Sequence, residues 1–289
     1  MHLSAIADAP DINITGGLEP LDDRIAILAG EGILPLAVAR RLTERGRAPL
    51  VITLRNDADV FRDIADPLIR MRYPKLTKAV CEMRKHGVQR VIMVGRVPKK
   101  LIYIPALFDP LTLRYLNRIS HDDHSLLAAV VDIIESNGIS VLPYWHILPE
   151  FIAPEGQLGH RPPTEKEERD FQYGASVLKV ILPCSFGQAL VVADGAVVAV
   201  EAIEGTDSMI ERAGKLVSKG VLVKMMRSDQ DIRYDLPTVG PKTIENMAQS
   251  RLTCLAVESR RTLIVETEKV LDLARRSDIA IWGLPCQCQ

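Results

Sequence analysis

Aromatic residues are scarce in this 289-residue chain, at 4%. Its core must therefore be built from Val, Ile, Leu and Ala, the composition of buried parallel strands flanked by helices. An excess of one charge is also lacking. Lys and Arg number 36 against 37 Asp and Glu, for a net charge of -1. A protein that grips nucleic acid through many phosphates would be basic, so no nucleic-acid partner is expected. The five cysteines are odd in number and none has C-x-x-C spacing, so they read as reduced thiols of a cytoplasmic protein. No run of about 18 apolar residues offers a membrane-spanning helix. Residues 1–20 are polar and acidic, with neither the basic nor the apolar region of a secretory signal.

What the chain does have is an ordinary globular composition, 47% hydrophobic and 25% charged, and a length that suits one large domain or two modest ones. In the first half, strands are expected at 24–29, 51–54, 91–94 and 139–142. Helices are expected at 35–45, 76–86 and 125–137. This alternation argues for a mostly parallel sheet with ligands beyond the carboxyl ends of its strands. Pro and Gly cluster from 153 to 163, which reads as a join. Thr164-Glu-Lys-Glu167 then starts a capped helix to about 179. Asp194-Gly195 lies between two β-rich runs and suits a type I′ hairpin. Beyond it the pattern gives a helix at 208–216, a strand at 220–224 and a helix starting at Gly240-Pro241. Strands at 263–265 and 279–282 flank a last helix at 267–276. The expected fold class is α/β in two domains: an N-terminal Rossmann-like parallel sheet and a C-terminal mixed α/β domain. The expected boundaries are an extension 1–23, the first domain 24–155, a linker 156–166, a catalytic domain 167–284 and a tail 285–289.

Chemistry-bearing residues collect at the strand ends. Gly30-Glu-Gly32 lies between a strand and a helix, where a phosphate or ribose would approach backbone amides. Pro35 stands in place of the third glycine of a dinucleotide fingerprint, so that fingerprint is absent and a tight turn is the alternative. Gly95-Arg96 opens a basic loop that would hold a diphosphate or lie solvated. The apolar stretch 101–110 behind it, with Tyr103 and Phe108, would meet acyl chains or a membrane surface, or form a buried connection. Asp122 and Asp123 sit between two histidines at a helix start, as a divalent-metal group or a cap. The fullest grouping is in the second half. One strand runs into Glu201, Glu204 and Asp207; another ends at Lys224 and leads to Asp229, Asp231, Arg233 and Asp235. Carboxylates at strand ends beside cations are the parts needed to handle a phosphate with Mg2+, which takes one or two carboxylates plus substrate oxygens. Solvated acidic loops are the plain alternative.

Several blocks, in this order, carry a resemblance: Ala29-Gly-Glu-Gly-Ile-Leu-Pro35, Gly95-Arg-Val97, Asp122-Asp123, Pro154-Glu-Gly156, Gly187-Gln188, Glu201-Ala-Ile-Glu-Gly-Thr-Asp207, Gly220-Val-Leu-Val-Lys224, Gln230-Asp231 and Asp235-Leu-Pro-Thr-Val-Gly-Pro241. They run from about 24 to 284, and the chain resembles the bacterial UDP-2,3-diacylglucosamine pyrophosphatases of lipid A synthesis. The resemblance implies two α/β domains with the ligand between them. It implies hydrolysis of UDP-2,3-diacylglucosamine to 2,3-diacylglucosamine 1-phosphate (lipid X) and UMP, with Mg2+ or a similar divalent cation. It also implies a cytoplasmic protein peripheral to the inner membrane, with a lipid-linked nucleotide-sugar as its partner, and leaves a homo-oligomer open. Asp231 maps onto the family's essential carboxylate. The expected catalytic residues are then Asp231, Asp235, Arg233 and Lys224. Gly30, Gly32, Gly95, Arg96, Gln188, Glu204, Gly205 and Thr206 are expected to bind substrate. Asp231, Asp207, Asp122 and Asp123 are expected to bind metal. The chain departs from the family's usual pattern at His121, Ser185 and 226–229. The second reading is a divergent relative that binds a nucleotide-sugar or lipid ligand with little turnover, or hydrolyses a different diphosphate.

Overall fold

The computed structural model describes residues 23–73, 75–96, 123–185, 187–227 and 230–286. The extension up to 22, the basic loop at 97–100, the apolar stretch 101–110, Asp122, the side chain of Asp123, Asp229 and residues 287–289 lie outside the described residues. The described chain divides into two compact units, one ending at Pro149 and the other beginning at Glu150. No helix among the described residues is long and apolar enough to cross a membrane.

The first unit is a five-stranded parallel sheet. Its strands are β1 (Ile25–Ala29), β2 (Leu50–Thr53), β3 (Leu68–Arg70), β4 (Arg90–Val94) and β5 (Ser140–Leu142), in the order β3-β2-β1-β4-β5. That order reverses between β1 and β4, as in doubly wound sheets. Helix α1 (Leu34–Glu44) buries Pro35, Val38, Ala39 and Leu42, and α2 (Leu76–Lys85) buries Leu76, Ala79, Val80 and Met83. Both sets follow the i, i+3, i+4, i+7 spacing of one helical face. Each fully buried Leu, Val or Met contributes about 1.5–3 kcal/mol. Pro35 fits the first turn of α1, where its missing N–H is no loss. Helix α3 (Asp123–Glu135) leads into β5.

The second unit is a six-stranded mixed sheet in the order β6 (Gly156–Gln157), β13 (Ala280–Leu284), β11 (Cys254–Glu258), β9 (Val221–Lys224), β7 (Ala189–Ala193) and β8 (Ala196–Val200). Strands β9, β11 and β13 are parallel at its centre. The hairpin of β7 and β8 joins β9 antiparallel. Its turn residues Asp194 and Gly195 have φ of 54° and 74°, the left-handed pair a type I′ turn requires. Residues 156–166, expected as a linker, run along this unit. Gly156–Gln157 is β6, an edge strand antiparallel to β13, and Thr164 caps α4 (Glu165–Ile181).

Helix α4 covers one face of the sheet with Phe171 and Leu178. The other face is covered by α5 (Gly205–Gly214), α6 (Pro241–Gln249) and α7 (Thr267–Arg276), through Met209, Ile244, Met247 and Val270. The strand expected at 263–265 is reduced to β12 (Leu263–Ile264), which pairs in parallel with β10 (Thr238–Val239) in a separate small sheet.

The start of α4 is locked by charge. Thr164 and Glu167 form the expected capping box. Both Glu167 oxygens also accept from the Arg161 guanidinium, at 2.9 and 3.0 Å. Burial alone would raise the Glu167 carboxyl, but Arg161 and the Thr164 N–H bring it down to about 2. A carboxylate lowered on folding stabilises the fold above its ordinary value of 4.5, and this is lost as pH falls through about 2. The shift is worth about 3 kcal/mol. Glu167→Gln should therefore be less stable than the parent protein at neutral pH. Its urea midpoint should fall less between pH 4.5 and about 2, which denaturant titration at several pH values would measure.

Candidate active site

The carboxyl edge of the second sheet gathers most of the expected residues. The parallel strands β9, β11 and β13 all end there, while β7 begins there and β8 leads out of it. Lys224, the last residue of β9, is 8% exposed. Its ammonium donates to Thr206 Oγ1 at 3.3 Å and to the Thr238 carbonyl at 3.3 Å. The Thr206 hydroxyl donates to Glu201 at 2.7 Å, and the other Glu201 oxygen accepts from the Gln188 N–H at 3.0 Å. Burial pushes the Lys224 pKa down, opposed by the charges of Glu201, Asp207 and Asp235. One buried cation thus ties the end of β8, the first turn of α5, the end of β9 and the start of β10 into a single network. Gly187 makes the closure of β8 on this edge possible: a Cβ there would overlap the Glu201 backbone.

The segment after β9 is pinned at its start. The Met225 N–H donates to the Gln188 carbonyl at 3.0 Å and the Met226 N–H to Glu258 at 2.9 Å. Asp231 then organises a turn. Its carbonyl accepts from the Tyr234 and Asp235 N–H groups at 3.4 and 3.2 Å. Its carboxylate accepts from Arg233 through the backbone N–H at 2.9 Å, Nε at 3.0 Å to both oxygens, and Nη2 at 2.7 Å. This fork geometry fixes the carboxylate in position. The structure therefore brings Asp231, Arg233 and Asp235 together on one turn, and links Asp235 to Lys224 by charge.

Other expected residues are placed differently. Glu204 is held by Arg212 at 2.6 Å at the start of α5, beside Gly205 and the network residue Thr206. Gly30 and Gly95, in the first unit, cross backbone to backbone. A Cβ on Gly30 would come within 2.6 Å of the Gly95 carbonyl carbon. The Gly30 N–H donates to Val94, and Glu31 and Arg96 exchange backbone hydrogen bonds at 2.7 and 2.9 Å. Those amides serve the crossing of two strand ends. Gly32 offers its carbonyl to Arg55 at 2.6 Å, with the same guanidinium on both Asp57 oxygens. Arg96 is largely exposed, 3.6 Å from Glu31. No group of three or more His, Cys, Asp or Glu placed to hold a metal occurs among the described residues.

Glu258 escaped the sequence reading. It is 4% exposed at the end of β11; burial pushes its pKa up, against the Met226 N–H and Arg261 at 3.8 Å. The signal was present as an aliphatic run, Leu255-Ala-Val, closing on a carboxylate, the same pattern that marked Glu201.

Residues 24–151 match the LpxI N-terminal domain and residues 154–282 the LpxI C-terminal domain. The chain is 30% identical over 284 residues to a Caulobacter vibrioides protein named UDP-2,3-diacylglucosamine pyrophosphatase LpxI, covering 91% of this chain and 98% of that one. Among solved structures it is similar to CobK precorrin-6A reductase, with a TM-score of 0.30 and 13% identity over 91% of this chain and 88% of that chain. It is also similar to a UDP-glucose-4-epimerase from Stenotrophomonas maltophila, with a TM-score of 0.29 and 11% identity over 92% and 87%. With both domains matched in order and nearly the whole relative covered, this chain belongs to the LpxI family.

Proposed function

We propose that the chain hydrolyses UDP-2,3-diacylglucosamine to 2,3-diacylglucosamine 1-phosphate and UMP, with Mg2+, in the cytoplasm at the inner membrane surface where the acyl chains reside. The observation that carries this reading is the relation to the Caulobacter protein of that name over 98% of its length. The strand-edge network supports it with chemistry suited to a diphosphate.

Hydrolysis adds a water oxygen to one phosphorus and breaks that phosphorus's bond to the bridging oxygen, which leaves with the electron pair. Asp231 accepts the proton of the attacking water. Arg233 holds that carboxylate oriented. Lys224, desolvated and aimed by Thr206 and Thr238, stabilises the charge that develops on the phosphate oxygens. Asp207 and Asp235, whose charges both reach the Lys224 ammonium, would be the carboxylates to hold Mg2+, which needs one or two of them with water and phosphate completing its shell. When bound, the ion polarises the phosphorus centre.

The test is UMP release from the purified protein and UDP-2,3-diacylglucosamine, with Mg2+ and with chelator. Metal-dependent release is expected. Substrate binding without release under any divalent ion would replace the hydrolase with a binding relative.

A further inference from the structure

We propose that the side-chain amide of Gln230 donates a hydrogen bond to a phosphate oxygen of the ligand. The inference rests on the diphosphate reading of this edge and gives a role to a side chain that the proposed mechanism leaves unused. Gln230 is 6% exposed and directly precedes Asp231. Its backbone N–H donates to the Arg227 carbonyl at 3.3 Å, and its side-chain oxygen accepts from the Arg227 N–H at 3.4 Å. Those contacts fix the orientation of the amide, because the reverse would set NH2 against N–H. The NH2 is thereby turned away from Arg227, and Nε2 is buried without a hydrogen-bond partner.

A buried donor with no acceptor destabilises a fold, and native proteins keep few of them. One that stands beside the turn of Asp231 is a donor waiting for an acceptor. The diphosphate reading of this edge says which kind. Arg227 and Arg261 are both buried here, and the Met226 N–H reaches Glu258 at 2.9 Å. A phosphate oxygen accepts without donating, which suits an amide that has a donor to satisfy.

The experiment compares wild type, Gln230→Met and Gln230→Glu in binding UMP and glucosamine 1-phosphate by calorimetry, in turnover, and in thermal unfolding. Gln230→Met keeps the volume and removes the donor. It should weaken one of the two phosphate compounds and raise KM by about 10- to 100-fold. Its Tm should hold or rise by about 2–4 °C, because an unpaired donor has gone. Gln230→Glu should bind that compound more weakly still, through repulsion. The compound affected identifies which phosphate Gln230 touches. Unchanged affinity for both compounds in both variants overturns the proposal, as does a fall in Tm of more than about 5 °C in Gln230→Met, which would make the amide a structural tie. Normal turnover in both variants sinks the Gln230 assignment and leaves the hydrolase standing. Variant-dependent binding in a protein that releases no UMP does the reverse.

Discussion

Asp231→Asn should lower metal-dependent UMP release by about 10²- to 10⁴-fold, the range for loss of a positioned base, while the protein stays folded and binds substrate. The carboxylate sits on the turn after β9, held by Arg233 through backbone and guanidinium. Both side chains keep partial contact with solvent, 31% for Arg233 and 24% for Asp231. An ion pair that exposed contributes only about 0–1 kcal/mol. The fork therefore does little for stability and much for aim. Asn preserves the size and one acceptor for Arg233, but has no negative charge to take a proton or face a cation. The expected signature is a collapse in kcat with KM near that of wild type. Circular dichroism and Tm would verify the fold. A variant that still turns over would move the proton acceptor elsewhere, with Asp235 the next carboxylate on the same turn.

Much of this architecture is legible one element at a time. Asp194-Gly195 announces its hairpin because both positions need positive φ, and Thr164 with Glu167 announces α4 because the two side chains cap each other. Helices α1 and α2 declare their buried faces through spacing alone. The central strand β11 does not declare itself, for a physical reason. The turns on either side of it are made by Arg251 and Arg260 at φ of 58° and 60°, so no glycine punctuates the run. With β11 went Glu258, the carboxylate at its end. Strands β6 and β10 have two residues each and carry no period to detect. The glycines at 30 and 95 are legible as sites of close approach. What approaches is the neighbouring strand end, and only the fold supplies that. The carboxylates and Lys224 were visible as strand-end residues. The link among Glu201, Thr206, Lys224 and Thr238 was not, since it joins four elements through pairings distant in the chain.

Lys224→Met should separate activity from stability. Lys224 is a cation placed where an aliphatic side chain would pack: Leu222 precedes it on the same face, and Val257 and Ala189 flank it in register. Its desolvation holds the folded pKa below the ordinary 10.5. A base depressed on folding is stabilising only above its unfolded value; as pH falls from 10.5 through the lowered value, the unfolded chain binds the proton more readily and stability drops. At neutral pH the charged lysine is thus a burden on the fold. Met removes that burden and keeps the length of the stem. Asp207 remains exposed to water, Asp235 keeps partial contact with it, and Glu201 keeps the Gln188 N–H and the Thr206 hydroxyl, so no carboxylate is stranded. The Tm of the variant should equal or exceed that of wild type. Turnover should fall by about 10²- to 10³-fold, as for the loss of one preorganised donor to a developing charge. Lys224→Arg should not restore it, because a planar fork cannot reproduce a compact ammonium in so closed a space. The pH profile gives an independent reading. In wild type, kcat/KM should decline as pH rises through the lowered pKa, below 10.5, as the ammonium is lost. That alkaline limb should be missing from the residual activity of Lys224→Met. A variant with lower Tm and full turnover would make Lys224 a structural cross-link among the carboxylates, and would leave Asp231 and Arg233 to act without it.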